Sequence, residues 1–251
     1  MKTINLLAAC CLVWLGCAQA ETLLVVDDWP PYVDFAKANQ GALTALVQQA
    51  FRHAGVPVRL EHVAWKKAEY MVDAGKAASY GWIKTPERQH KWQFSEPICS
   101  QRTVLVSRAS KPVLWQSPSD LLPYRIGWTR GYSYGAEFEQ WKSKLQVAEV
   151  SNDLAGLKVL LLGRIDALPL DTLEARVLAE QLAPADRGRL QLEPPKNARA
   201  VASGDIFLVC NKSQPECAQT LAVFNRELKQ LHGGKAVDCG QLLFSDMQGH
   251  Q

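Results

Sequence analysis

Short apolar runs alternate with amphipathic helical stretches along this chain, and that alternation constrains its fold more than any other feature. Residues 22–26 read as a buried strand, which Asp27-Asp28-Trp29-Pro30-Pro31-Tyr32 breaks with two prolines. Leu43, Leu46, Val47, Ala50 and Phe51 then fall on one face at helical spacing, and Gly55 stops the helix. Residues 58–63 form a second run, and Trp65, Ala68, Met71 and Val72 mark a second helix ending near Gly75. Strands and helices joined this closely make βαβ units, so the sequence predicts an α/β fold around a largely parallel sheet.

The pattern resumes after an interruption. Residues 103–107 are apolar and β-branched, and residues 109–123 are rich in Ser, Pro and Lys, as where a chain passes between domains. A strand at 125–128 leads to a turn bracketed by Gly131 and Gly135 and to a helix with Phe138 and Trp141 on its apolar face. Ser151-Asn152-Asp153 offers caps for a helix carrying Leu154, Leu157 and Leu161, which ends at Gly163 before a strand at 165–170. Another helix follows Asp171. A Pro- and Lys-containing stretch at 193–197 precedes a strand at 206–209 and a long helix with Leu221, Phe224, Leu228 and Leu231 inward. Two lobes are expected, residues 21–107 with 204–251 and residues 108–203, joined by two chain crossings that act as a hinge.

The first twenty residues hold one Lys, an apolar run of about 13 residues and the small-x-small triplet Ala18-Gln19-Ala20. They read as a cleaved signal peptide with Glu21 as the new N-terminus, because the run is shorter than the roughly 20 residues of a spanning helix. Leu15-Gly16-Cys17 offers the alternative of lipid attachment. Export leaves Cys99, Cys210, Cys217 and Cys239 in an oxidising compartment. Cys210 and Cys217 bracket a short polar turn and are expected to form a disulfide. Cys99 and Cys239 are either a second bridge or two buried thiols.

Lys and Arg total 28 against 25 Asp and Glu, and this dispersed net charge of +3 is too small for a nucleic-acid partner. No phosphate-binding glycine loop and no CxxC occur, and none of the five His residues pairs at metal-ligand spacing. No cofactor and no metal are expected.

The densest chemistry lies in Trp82-Ile83-Lys84-Thr85-Pro86-Glu87-Arg88-Gln89 and the following Phe94-Ser95-Glu96-Pro97. Thr85 can cap a helix with Pro86 in its first position, which sets Arg88 in the first turn beside free N–H groups. Such a corner suits a carboxylate. The segment resembles the T-P-E-R…F-S-E-P signature of the periplasmic solute-binding proteins of family 3, the polar amino-acid-binding components of ABC importers. The likeness extends to Trp29-Pro30-Pro31-Tyr32, to Ile126-Gly127 through Gly135, to Gly163-Arg164-Ile165-Asp166-Ala167 with Asp171, and to Asn211-Lys212.

The resemblance implies a two-lobed, type II periplasmic-binding-protein-like α/β fold with a hinge and an interlobe cleft. It implies that Arg88 clamps a ligand carboxylate, Asp171 accepts an ammonium, Ser133 adds donors and Trp29 packs on the ligand, with Thr85, Trp82 and Tyr132 beside them. Asp171 has a second reading, as N-cap of the helix beginning at Thr172. The expected protein is a periplasmic monomer that captures an amino acid or similar small carboxylate by hinge closure for an inner-membrane ABC permease, and is not an enzyme. The alternative is an enzyme on the same fold, similar to cyclohexadienyl dehydratases, with Lys84, Glu87 or Glu174 moving the proton. Two departures from the family pattern matter. Gly81 and Ile83 stand where small hydroxyl residues are common, and the acids of G-F-D-x-D-L are missing from Gly41-Ala42-Leu43-Thr44-Ala45-Leu46. Trp29, Tyr32, Tyr80, Trp82, Trp128, Tyr132 and Tyr134 are expected near the cleft, which favours an apolar, aromatic or larger ligand over a strongly basic one.

Overall fold

A computed structural model describes residues 21–193, 199–233 and 237–242; the leader read at residues 1–20 and most of the polar stretch at 193–197 lie outside them. In the first lobe, β1 (Thr22–Val26) runs parallel to β2 (Val58–His62) on one side and β3 (Ala78–Trp82) on the other. Helices α1 (Ala42–His53) and α2 (Trp65–Asp73) make the crossovers, and α1 buries the stripe its spacing shows, Leu43, Leu46, Val47, Ala50 and Phe51. The short helix α3 (Pro86–Lys91) and strand β4 (Trp92–Phe94) follow.

The second lobe repeats the plan. Strand β6 (Arg125–Thr129) lies parallel to both β7 (Gln146–Val150) and β8 (Ala167–Asp171), with α4 (Ala136–Trp141) and α5 (Asp153–Leu161) between them in the chain. Asn152 caps α5, its side-chain oxygen accepting from the Ala155 N–H at 2.9 Å. Helix α6 (Thr172–Glu180) leaves directly from the end of β8. At the far end of this lobe, Asp166 is buried and accepts from Lys111 at 3.0 Å, Arg108 at 3.1 Å and the Arg125 backbone N–H at 3.0 Å.

Two ten-residue strands join the lobes: β5 (Cys99–Arg108) and, after the short helix α7 (Pro184–Arg187) and strand β9 (Leu190–Gln191), β10 (Ala202–Asn211). They pair antiparallel with each other, β10 pairs antiparallel with β3, and β5 pairs antiparallel with β8. The sheet is therefore parallel towards both ends and antiparallel in the middle, which corrects the expectation of a largely parallel sheet. Strands β5 and β10 pass from one lobe to the other in opposite directions, and antiparallel neighbours need no crossover helix.

One apolar core gathers residues from Leu24 to Cys99 and from Ile206 to Leu242. Two more draw on residues between Leu105 and Val201. The chain thus changes core inside β5, upstream of position 107, and the stretch 109–123 belongs to the second lobe, where Val113, Trp115 and Leu121 are buried. The return lies inside β10, before α8 (Cys217–His232). Cys210 and Cys217 form a disulfide. Cys99 and Cys239, left open by the sequence, form another, which fastens β11 (Val237–Asp238) beside β5.

Candidate functional site

The N-terminus of α3 carries the cation of the site. Thr85 caps it, its hydroxyl accepting from the Arg88 N–H at 3.2 Å, and this turns the Arg88 side chain inward. The guanidinium carbon lies 4.6 Å from the Trp82 ring centroid and 5.4 Å from that of Trp92. Its Nη1 donates to the Ile83 carbonyl at 3.4 Å and its Nη2 stands 3.6 Å from Glu69. Burial pulls the Arg88 pKa down, and Glu69 opposes that shift. These contacts use part of a five-donor fork, which suits the rest of it to a bidentate anion.

Across the cleft, the β8–α6 junction supplies the acids. Asp171 caps α6: its Oδ1 accepts from the Leu173 N–H at 2.9 Å, the Glu174 N–H at 3.1 Å and the Tyr32 hydroxyl, reaching over from the first lobe, at 2.9 Å. Burial raises the Asp171 pKa against these hydrogen bonds. Glu174 is buried too, and its Oε2 accepts from Trp29 Nε1 at 3.0 Å, a second bond between lobes. Burial, then the neighbouring charge of Asp153, holds the Glu174 carboxyl well above its ordinary range. Asp153, whose own pKa is raised by burial, accepts from the Thr129 hydroxyl at 2.6 Å.

Between Arg88 and these acids is a cavity of about 60 Å³. At about 10–15 Å³ per water-sized occupant, it has room for roughly four to six of them. Arg88, Asp171, Ser133, Trp29, Trp82 and Tyr132, all expected at the site, line it together. Thr85 does not; it faces a separate outer cleft that also touches Arg88 and Ser133. Of the aromatics expected near the cleft, Tyr134 lines the cavity, Tyr32 stands behind Asp171, and Tyr80 and Trp128 are packed in the cores of their own lobes. For the enzymatic alternative, Lys84 lies over the Phe207 ring and Glu87 is exposed, whereas Glu174 lines the cavity.

Trp65 is a part of the site that the sequence reading gave no role. Its ring edge occupies the space over Gly81, where an added Cβ would come within 2.8 Å of Cη2, and its Cβ stands 3.0 Å from a Cβ built on Gly131 of the other lobe. The missing hydroxyl side chain at position 81 is thereby explained: an indole fills its place. Trp65 Nε1, Ser133 Oγ and Glu174 Oε1 are buried without hydrogen-bond partners, and all three residues line the cavity. Such atoms are rare inside proteins, and three around one cavity mark where a polar ligand is received. Among the described residues no group of three or more His, Cys, Asp or Glu is disposed to hold a metal ion. None of their helices is long and apolar enough to cross a membrane.

Two α/β lobes joined by two strands, with polar groups from both meeting in the cleft, define the periplasmic-binding-protein-like class. The family model of bacterial extracellular solute-binding proteins, family 3, matches residues 22–236, and the chain belongs to that family. Solved structures agree in fold. The holo form of ArgBP from T. maritima is 21% identical with a TM-score of 0.67, over 84% of this chain and 89% of that one. The amino acid ABC transporter substrate-binding protein AbpA from Streptococcus pneumoniae, bound to L-arginine, is 16% identical with a TM-score of 0.67, over 90% and 93%. A histidine kinase sensor domain with similarity to periplasmic binding proteins reaches a TM-score of 0.71 at 18% identity, over 92% and 96%. No curated protein sequence matches the chain.

Proposed function

We propose that this is an exported, monomeric solute-binding protein that captures an amino acid or similar small carboxylate by closure of its two lobes and delivers it to an inner-membrane ABC permease. The observation that carries the reading is the pairing of opposite charges across one small cavity: Arg88 from the first lobe, and Asp171 with Glu174 from the second. A zwitterion costs several kcal/mol per charge to desolvate unless each charge finds a partner, and this cavity supplies both. Trp65 Nε1 and Ser133 Oγ add neutral donors to the same cavity. Proteins of this fold bind arginine in T. maritima and L-arginine in S. pneumoniae. The limited volume here favours a shorter side chain. The test is a melting scan with each of the twenty L-amino acids and a set of small carboxylic acids. A ligand at a hundredfold over its Kd adds about 2.7 kcal/mol, about 5–11 °C for a protein of this size. Arg88→Ala abolishes the gain. No shift with any compound refutes the reading.

One observation favours the second reading, an enzyme on the same fold. Glu174 is a buried carboxyl on the cavity wall whose pKa burial pushes up, the disposition of a general acid. Incubation with prephenate or arogenate, followed for a phenyl product, decides it.

A further inference from the structure

The cavity is small, and a side chain confined to it has to be short. On the hinge side it has a way out. Ile83 and Gln101 line the cavity and also a neighbouring cleft of about 280 Å³, which lies between the end of β3, strand β10 and Gly135 of the second lobe. Strand β3 pairs with β10 at Phe207, Leu208 and Val209 and ends at Trp82. From Ala202 to Ile206, β10 pairs with β5 on one edge, and among the described residues no strand pairs with the other. Such an edge presents main-chain N–H and C=O groups to whatever lies beside it. Gly204 sits in the middle of this stretch, and a Cβ built on it would meet nothing within 4 Å, so the space over the strand is open.

Two side chains give that space a chemical preference. Gln101 stands opposite Gly204 in the ladder; its Oε1 accepts from the Thr103 hydroxyl at 3.3 Å, which leaves its NH2 to donate. Lys84 borders the cleft with its Nζ 4.2 Å from the Phe207 ring centroid and 5.6 Å from that of Phe94, and it belongs to no ion pair among the described residues. Asp205, the acid on the cleft lining, accepts from the Ser100 hydroxyl at 2.6 Å. We propose that the hinge-side cleft is a second subsite, where Lys84, Gln101 and the open edge of β10 receive a carboxylate at the far end of the ligand. The proposal rests on the reading of the cavity as a receptor for an amino acid, and it names the class: an amino acid whose side chain passes Ile83 and Gln101 and ends in a second carboxylate. The head group stays between Arg88 and the acids of the second lobe, and Lys84 turns a basic side chain away by like charge. Because Lys84 is exposed, its share of the binding is screened by salt more than the contacts inside the cavity are.

The test is calorimetric titration of the whole protein with L-aspartate, L-glutamate, L-2-aminoadipate, L-2-aminopimelate and L-2-aminosuberate, with L-norleucine as the uncharged comparison. Affinity is expected to rise along the series to the length that reaches Lys84. The best member should bind about 10-fold or more tighter than L-norleucine, an advantage that shrinks as salt is added. Lys84→Met keeps the stem over Phe207 and removes the charge, whereas Lys84→Arg keeps the charge; both alter an exposed side chain and should fold, which circular dichroism verifies. Lys84→Met should remove the advantage and its salt dependence while leaving L-norleucine within about twofold, and Lys84→Arg should preserve both. Amino acids that bind with no preference for a second carboxylate, or an equal loss of both kinds of ligand in Lys84→Met, overturn the subsite and leave the receptor reading intact. So does a Lys84→Met protein that self-associates with its ligand preference unchanged, since the lysine would then only guard the strand edge. Failure of every amino acid and carboxylate to bind the unmodified protein overturns both.

Discussion

Replacing Gly81 by Ser would restore the hydroxyl that family members often carry at this position, and the structure says why this chain cannot accept it. The residue has φ of +90°, and its new Cβ would meet Trp65 Cη2 at 2.8 Å. A side chain held in that backbone region costs about 1–3 kcal/mol. Forcing the indole aside in a packed site costs about 1–3 kcal/mol more. Gly81→Ser should therefore destabilise the protein by about 2–6 kcal/mol, measured by urea unfolding. Trp65→Phe separates the two costs, because phenylalanine lacks the atom that the Cβ would strike. In that background the serine should cost only the backbone share, leaving a coupling of about 1–3 kcal/mol between the sites. If the serine costs the same in both backgrounds within about 0.5 kcal/mol, the indole does not fill the vacated position and the account of the altered ligand shell is wrong.

The two disulfides should differ in worth. With cysteines 140 residues apart, Cys99–Cys239 contributes about 5 kcal/mol by chain entropy, and Cys210–Cys217, with 7, about 2 kcal/mol; paired Cys→Ser variants compared in urea should show that order, and the reverse order would refute it. Burial alone would raise the Asp166 pKa, but hydrogen bonds from Arg125, Lys111 and Arg108 outweigh it and hold the carboxyl well below the usual range. Its contribution is therefore complete above about pH 5, where an unfolded Asp is fully ionised, and declines as pH falls towards the folded value. Asp166→Asn should cost about 3–5 kcal/mol at neutral pH and flatten the acid limb of the stability profile; an unchanged acid limb in that variant would refute the assignment.

Much of this was legible because it is local. The stripes of α1 and α5, the Asn152 cap and the Thr85-Pro86 start of α3 are each specified within a few residues, and the position of Arg88 follows from them. Both readings of Asp171, helix cap and cavity wall, were also available, since a cap three residues before Glu174 reads as an ordinary capping pattern. That same ordinariness left Glu174 as one of three candidates for moving a proton, with no sign that it lines the cavity. Its burial depends on Trp29, 145 residues away, and no periodicity reports a contact of that range. Trp65 was hidden in a similar way: helical spacing shows that it points inward, but only the assembled lobes show that it fills the space over Gly81. The direction of β10 was not legible either, because a short apolar run carries no record of which neighbour it will pair with.

On the proposed reading, the unpartnered atoms set the strength of coupling between ligand and closure. Each lobe keeps its own core, and across the cleft Tyr132 and Leu173 of the second lobe pack against that of the first. The polar atoms left unpartnered there are Trp65 Nε1 from one side, Ser133 Oγ and Glu174 Oε1 from the other. A buried group left unpaired costs about 1–3 kcal/mol, so three of them oppose ligand-free closure by about 3–9 kcal/mol. The Tyr32–Asp171 and Trp29–Glu174 bonds act in the other direction, at about 1.5–3 kcal/mol each for bonds to charged groups and less where the acid holds its proton. A ligand that satisfies the three atoms removes the larger quantity without disturbing the smaller. The swing is comparable to the roughly 5.5 kcal/mol that carries a two-state equilibrium from 1:99 to 99:1. The cleft is therefore poised to report occupancy: a compound that reaches only one wall leaves the opposing atoms unpaired, and only one that pairs both walls makes the closed form the stable one.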